Sequence, residues 1–333
     1  MTARRSLPPS DPPPAAVAPP ERAAGPAPPP ERGVTVAAIA PAPTGSALSR
    51  YDPRGGRLPF EWSLNPYRGC EIGCGYCYAR YTHRYLGHDD PADFERRIYA
   101  KEDLPRLLAR DLERRVARGQ RIAVGTVTDP YQPAERTREI TRACLRVFAR
   151  HAGLRISITT KSDLVLRDLD LLRVLAKRGS LHVNLSLTTV DRRLARALEP
   201  RAATPGRRLA AIRALAAEGI EAGVFLMPVL PGLTDDPASL DALGRSAAAA
   251  GARYLCHQVV FQSEPTKSHW REFLRARFPA LAPRYDAWFA RGAYAEDDLR
   301  EAIARRVARV RRVHRLADAP ADTAPADPQL TLF

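Results

Sequence analysis

The sequence predicts an α/β protein organised on a six-stranded parallel sheet. Short apolar runs recur six times between residues 62 and 261, and a helical pattern separates each from the next. Parallel neighbours need a long crossover, usually a helix, so this alternation reads as repeated βαβ units. The runs are also apolar almost throughout, as strands are when both faces of a sheet are covered. A flat doubly wound sheet and a curved partial barrel both satisfy the pattern. In either, chemistry belongs at the carboxyl ends of the strands.

The elements follow in order. Residues 1–47 precede the pattern. Thirteen of the 31 prolines fall in the first 45 positions with no periodic apolar face, so this segment is expected to be disordered. Residues 62–64 are the first strand and 78–86 the first helix. Leu104, Leu107, Leu108, Leu112 and Val116 keep helical spacing over 104–116. A second strand at 122–127 leads to a helix striped by Ile140, Cys144, Val147 and Phe148. Strands at 156–160, 182–187, 224–227 and 254–261 alternate with helices at 169–176, 207–217 and 240–250. Beyond this core of 48–265, helices are expected at 270–278, 285–289 and 298–316, making a helical extension over 266–316. The last has Ile303, Val307 and Val310 on one side and Arg305, Arg306, Arg309 and Arg312 on the others, the usual signature of a solvated face. Residues 317–333 are proline-rich and acidic, and are expected to form a second disordered tail.

Composition narrows the class. With 45% hydrophobic and 27% charged residues the chain reads as a soluble globular protein. No apolar run is long enough to span a bilayer, and no apolar stretch backs the N-terminal arginines, so a cytoplasmic location is expected. The net charge is +15, yet only four of the 52 basic residues are lysines. That charge is compatible with an anionic polymer without establishing one.

Three of the five cysteines, Cys70, Cys74 and Cys77, fall within eight residues in C-x3-C-x2-C spacing. Thiolates so close suit one metal centre in a reducing compartment better than mutual disulfides. Three thiolates leave a coordination gap. A tetrahedral zinc would need a fourth ligand, for which His83 is the candidate, whereas a four-iron cubane would keep one iron open. Glycines at 69, 73 and 75 let backbone wrap closely round such a centre.

The C-x3-C-x-aromatic-C pattern, with Tyr76 as the aromatic, resembles the signature of the radical S-adenosylmethionine superfamily. The longer run Asn65-Pro66-Tyr67-Arg68-Gly69-Cys70, continued through Cys77 to Arg80, resembles the branch related to spore photoproduct lyase. The resemblance covers roughly residues 48–265. It implies a partial (βα)6 TIM-like barrel, a 4Fe-4S cluster on Cys70, Cys74 and Cys77, S-adenosylmethionine as cofactor, and a reducing donor such as flavodoxin or ferredoxin.

Polar residues stand where the strands end. Thr128 and Asp129 follow the second strand, Lys161 the third, and Ser186 closes the fourth. Taken singly they read as turn and cap residues. Lys161 is unusual in a chain that otherwise writes arginine, because a compact ammonium suits a ligand carboxylate in a confined site. The resemblance implies that Thr128, Asp129, Lys161 and Ser186, with Tyr76, form the cofactor-binding set. Leu198-Glu199-Pro200 also resembles a stretch of the lyase. One departure matters: the lyase has a cysteine before the position of Thr128, where this chain has Val127. The resemblance is therefore to the branch and not to the lyase's own reaction. Cys144 reads as a core residue. Cys256, on a strand face with Tyr254 and Gln258, reads either as core or as a hydrogen-atom donor.

The chain ends in Gln329-Leu330-Thr331-Leu332-Phe333, which resembles the peptide with which bacterial replication and repair proteins grip the DNA polymerase sliding clamp. Gln329, Leu330, Leu332 and Phe333 would form the anchor, and DNA would then be the substrate. Radical chemistry in DNA repair or nucleic-acid modification is the function so implied. Its rivals are a zinc-stabilised binding protein and a basic nucleic-acid-binding module whose cluster is structural.

Overall fold

The computed structural model describes residues 38–41, 45–51, 59–116 and 119–321. Its strands, in chain order, are β1 (Ala38–Pro41), β2 (Leu48–Arg50), β3 (Trp62–Leu64), β4 (Tyr67–Arg68), β5 (Arg97–Ala100), β6 (Arg121–Val124), β7 (Arg155–Thr160), β8 (Ser180–Ser186), β9 (Glu221–Val229) and β10 (Leu255–Val259). The main sheet runs β10-β9-β8-β7-β6-β3-β2. All its pairings are parallel except the one between β2 and β3. The six expected parallel strands thus stand in chain order. The sheet ends at β10 and β2, which do not pair with each other, so the barrel is partial.

Helices fill the crossovers. Between β3 and β6 come α1 (Asp93–Arg96) and α2 (Leu104–Arg114), and after β6 come α3 (Glu135–Arg138) and α4 (Ile140–Phe148). Then follow α5 (Leu169–Arg178), α6 (Arg192–Leu198), α7 (Pro205–Ala217) and α8 (Pro237–Ala249). The chain closes with α9 (Thr266–Arg277), α10 (Ala282–Trp288) and α11 (Asp297–His314). Side-chain caps place several starts: Asp191 accepts from Arg193 N at 2.7 Å before α6, and Asp236 from Ser239 N at 3.0 Å before α8. Pro205 and Pro237 stand in the first turns of α7 and α8, where no intrahelical N–H is lost.

Alternation along the strands sorts the two sides of the sheet. Ile156, Ile158, Val183, Leu185, Val224 and Leu226 are buried in the main core with the crossover helices. The opposite face is polar and layered. Thr159 pairs with Asn184, and Asn184 with Gly223. Across this row Asn184 donates to Thr159 Oγ1 at 3.1 Å and accepts from the Tyr254 hydroxyl at 2.6 Å. Gly223 makes room for the ring, because a Cβ there would lie 2.4 Å from it. One step nearer the carboxyl ends, the register brings Ser186 beside Phe225 and Phe225 beside Cys256.

Several expectations need correction. The N-terminal segment is not unstructured up to residue 47: β1 pairs in parallel with β5, and β5 pairs with β4, making a small second sheet. Asp111 also captures the backbone N–H groups of Ala47 and Leu48 at 2.8 and 3.1 Å. At the other end, the tail expected from 317 begins as an addition to the sheet. Ala317 bridges Tyr254 in parallel, and Ala321 N reaches Glu221 Oε1 at 2.9 Å. The helix expected at 78–86 is a 3-10 helix. Cys256 faces this C-terminal segment, donating to Asp318 O at 3.1 Å, and burial pushes its thiol up to about 12. The peptide Gln329, Leu330, Leu332 and Phe333 lies outside the described residues. No helix among those described is long and apolar enough to cross a membrane.

Candidate active site

The cysteine loop follows β4 of the second sheet, just past the carboxyl end of β3, and its backbone is pinned from several directions. Cys70 N donates to Phe94 O at 2.9 Å, Gly75 N to Leu198 O at 3.1 Å, and Arg201 N to Ile72 O at 3.3 Å. Arg80, 1% exposed, donates to Cys74 O and to Glu95, each at 2.8 Å. Thr266 at the start of α9 donates to Cys77 O at 3.1 Å. These main-chain groups of the loop are thus satisfied by protein partners, as buried backbone requires. Gly69 holds a φ of +79°, and a Cβ there would meet Arg97 O at 2.7 Å and Phe94 O at 2.8 Å, so only glycine fits.

Cys70 and Cys74 are buried, Cys77 is half-buried, and all three are free thiols. Burial pushes Cys74 up to about 12, against the opposing pull of the Lys161 ammonium. Cys70 is raised well above its usual range by burial, then by Asp129, Cys74 and Cys77. Among the described residues no three His, Cys, Asp or Glu side chains converge on a point as a preset single-ion cage would. His83 does not converge with the three thiols among the described residues. Its Nε2 bonds Arg97 O at 2.9 Å, its Nδ1 has no hydrogen-bond partner among them, and its ring packs against Phe94 and Tyr99. Three thiols in one loop, with no histidine converging on them among the described residues, fit a cluster held by three thiolates better than a Cys3His zinc.

The predicted strand-end residues surround this loop with distinct partners. Thr128 donates to Gly69 O at 2.6 Å and accepts from Gln132 at 3.1 Å, so its hydroxyl braces the cysteine loop. Asp129 accepts from Thr160 Oγ1 at 2.6 Å and Tyr131 N at 2.9 Å on one oxygen, and from Lys161 N at 2.7 Å on the other. That carboxylate fixes the end of β7. Burial raises its pKa, with the hydrogen bonds opposing. Lys161 makes no direct ion pair among the described residues. Burial pulls its pKa down, but Cys74, Glu199 and Asp129 outweigh that and hold the ammonium charged. Its Nζ lies 5.9 Å from the centre of the Tyr76 ring. Ser186 follows beside Lys161, since Thr160 pairs with Leu185, and its carbonyl accepts from Arg208 at 2.6 Å. Tyr76 turns its hydroxyl to Glu199 and its ring edge to Trp270 at 6.2 Å.

Glu199 and Arg208 escaped the sequence reading as site residues. Both are buried and paired with each other. Burial works to raise the Glu199 carboxyl, yet Arg208 and Lys161 prevail and hold it below its ordinary value. Gln132 and Asn65 were also missed. Gln132 accepts from Glu71 N at 2.9 Å, and Asn65 accepts from Val127 N at 3.0 Å. The only local sign was Leu198-Glu199-Pro200, an acidic residue closing an apolar helix. A second hydrophobic cluster covers the site from the side: Ile72, Tyr76 and Phe94 pack with Trp270, Leu274, Tyr285 and Phe289. So α9 and α10 rest on the cysteine loop.

Comparison with known proteins fits this arrangement. Residues 64–242 match the family model described as the Radical SAM superfamily. An uncharacterized protein of Mycobacterium tuberculosis is 36% identical over 284 residues, covering 85% of this chain and 82% of its own length. An uncharacterized protein of Methanocaldococcus jannaschii is 33% identical over 175 residues, 53% of this chain and 62% of its own. Among solved structures, a variant of spore photoproduct lyase with a dinucleoside spore photoproduct superposes with a TM-score of 0.62 at 16% identity, over 83% of this chain and 78% of that one. At that identity the likeness concerns the fold.

Proposed function

The chain belongs to the radical SAM superfamily, and from that premise we propose an enzyme that cleaves S-adenosylmethionine reductively at a 4Fe-4S cluster held by Cys70, Cys74 and Cys77. When bound, that cluster supplies an open iron for the cofactor's amino and carboxylate groups and the electron that releases methionine and a 5′-deoxyadenosyl radical. The chain's own residues hold and orient. Thr128 and Gln132 brace the Gly69 carbonyl beside Cys70. Asp129 fixes the backbone from which Lys161 projects. Lys161 offers the cofactor carboxylate an ammonium with no direct ion-pair partner in the protein. Trp270 and its neighbours shield the Tyr76 side from water. The observation that carries the reading is this joining of a three-thiol loop to a half-buried, charged lysine at the carboxyl ends of parallel strands.

Anaerobic reconstitution tests it. About four irons and four sulfides per chain are expected, and reduction with S-adenosylmethionine should yield 5′-deoxyadenosine. Cys74→Ala should abolish both. Stoichiometric zinc without sulfide in anaerobically purified protein would sink the reading.

A nucleic-acid substrate, in repair or modification, belongs to the proposal, supported by the net charge of +15. A reducing donor such as flavodoxin or ferredoxin would deliver the electron. Docking of Gln329, Leu330, Leu332 and Phe333 on a sliding clamp is proposed as well. A peptide of residues 327–333 should bind a bacterial clamp with about micromolar affinity, and Leu332→Ala with Phe333→Ala should remove that binding.

A further inference from the structure

Beside the cysteine loop lie two adjoining clefts of about 90 and 100 Å³ that share residues 202–203 in their lining. One cleft is lined by Arg192, Arg196 and Arg208, the other by Arg136, Arg201 and Arg207. Each trio meets a single carboxylate, and both carboxylates are already engaged. Glu199 is held by Arg208 and Tyr76, and Asp163 by Arg207 at 2.6 Å. Arg136 and Arg192 are exposed and make no ion pair among the described residues, so each cleft keeps a guanidinium without a counter-charge. The shared strip is bolted to the site. Ala203 N donates to Lys161 O at 3.2 Å, and Arg201 donates through its main chain to Ile72 O and through its side chain to Glu71 O, each at 3.3 Å.

We propose that this pair of clefts binds the phosphate backbone of a nucleic-acid strand, one phosphate in each cleft, and so delivers a nucleotide to the neighbouring site. The inference names the substrate surface of the function proposed above and rests on that site acting on a bound polymer. Guanidinium forks match phosphate oxygens in pairs, and each neutralised phosphate releases condensed counterions. Two adjoining cationic clefts suit regularly repeated charges on one polymer, whereas a single carboxylate or phosphate ligand would use one. Contacts of this kind position a strand without reading its sequence.

The experiment uses the full chain and a fluorescent single-stranded oligonucleotide, titrated over a range of salt. The expected result is salt-dependent binding that is equal for a scrambled sequence. Arg136→Gln with Arg192→Gln should lower affinity at low salt about tenfold or more, and make the log–log salt slope shallower by roughly 0.7 per arginine. An unaltered thermal melt would show that the variant is folded. Unchanged affinity and slope in that variant overturn the proposal, as does the absence of binding by the wild type. Displacement by polyglutamate or by a free nucleotide as readily as by unlabelled oligonucleotide overturns it too, in favour of an acidic protein or a small phosphorylated ligand. Formation of 5′-deoxyadenosine without oligonucleotide is a separate readout that the variant should preserve. Its loss in the wild type would defeat the radical chemistry and leave oligonucleotide binding still to be read.

Discussion

Glu199 and Arg208 form an ion pair in which neither side chain is more than 1% exposed, and the same carboxylate accepts the hydroxyl of Tyr76 from the cysteine loop. The segment after β8 is thereby tied to the cysteine loop through one buried charge. Such a pair is costly to break from one side, because the remaining ion is left in a medium that cannot solvate it.

Glu199→Ala should therefore destabilise the fold by roughly 3–5 kcal/mol, measured by chemical denaturation of the cluster-free chain. Glu199→Gln should retain an acceptor for Tyr76 and be milder. Its pH dependence carries a sign. The folded carboxyl is held below its ordinary 4.5, so its charge contributes stability above that pH and loses it as pH falls through the folded value. The stability gap between wild type and Glu199→Gln should be flat above about pH 4.5 and close in stronger acid.

Lys161→Ala should sharply reduce 5′-deoxyadenosine formation while leaving iron and sulfide content near that of the wild type. Arginine should fail as a replacement, since its wider planar head does not fit a site shaped for an ammonium. Equal product from all three proteins would remove Lys161 from the cofactor site.

His83→Gln distinguishes the two metal readings. With His83 not converging on the thiols, the variant should keep its iron and sulfide. Metal content falling in step with loss of the imidazole, in a variant that still melts cooperatively, would restore the Cys3His zinc centre.

Gly69→Ala should impair both folding and cluster loading. The added Cβ would meet backbone oxygens of Arg97 and Phe94, which cannot swing aside, and would do so at a positive φ. Gly206→Ala is the control, in the first turn of α7 with open space around it, and should be neutral or stabilising by up to about 1 kcal/mol. Equal stability of the two variants in a thermal melt would show that the loop tolerates a side chain beside Cys70.

The strand–helix alternation, the short strands and the cysteine spacing were legible because each is a local property. Period and spacing place side chains relative to their own backbone, whatever the rest of the chain does. Lys161 could be singled out for the same reason, as a lysine at a strand end in an arginine-rich chain. The second sheet was less legible. Its strands β1 and β4 are four and two residues long, too short to show a period, and β1 lies in proline-rich surroundings that read as disorder.

The chain alone thus specified the parallel α/β order, the three-thiol loop and the strand ends at which to look for partners. Packing decided which atoms those partners use. Tyr76 and Glu199 are 123 residues apart, and nothing local announces that one will bond the other. Thr128 and Asp129, expected to face a cofactor, brace Gly69 and the backbone of Lys161 because folding brings those buried polar groups together and each must find a partner. Burial of apolar side chains turned α9 and α10 onto the cysteine loop, and backbone pairing drew residues 317–321 beside β10. Burial of charge and of unpaired backbone is settled between distant segments, and only the folded chain brings those segments into contact.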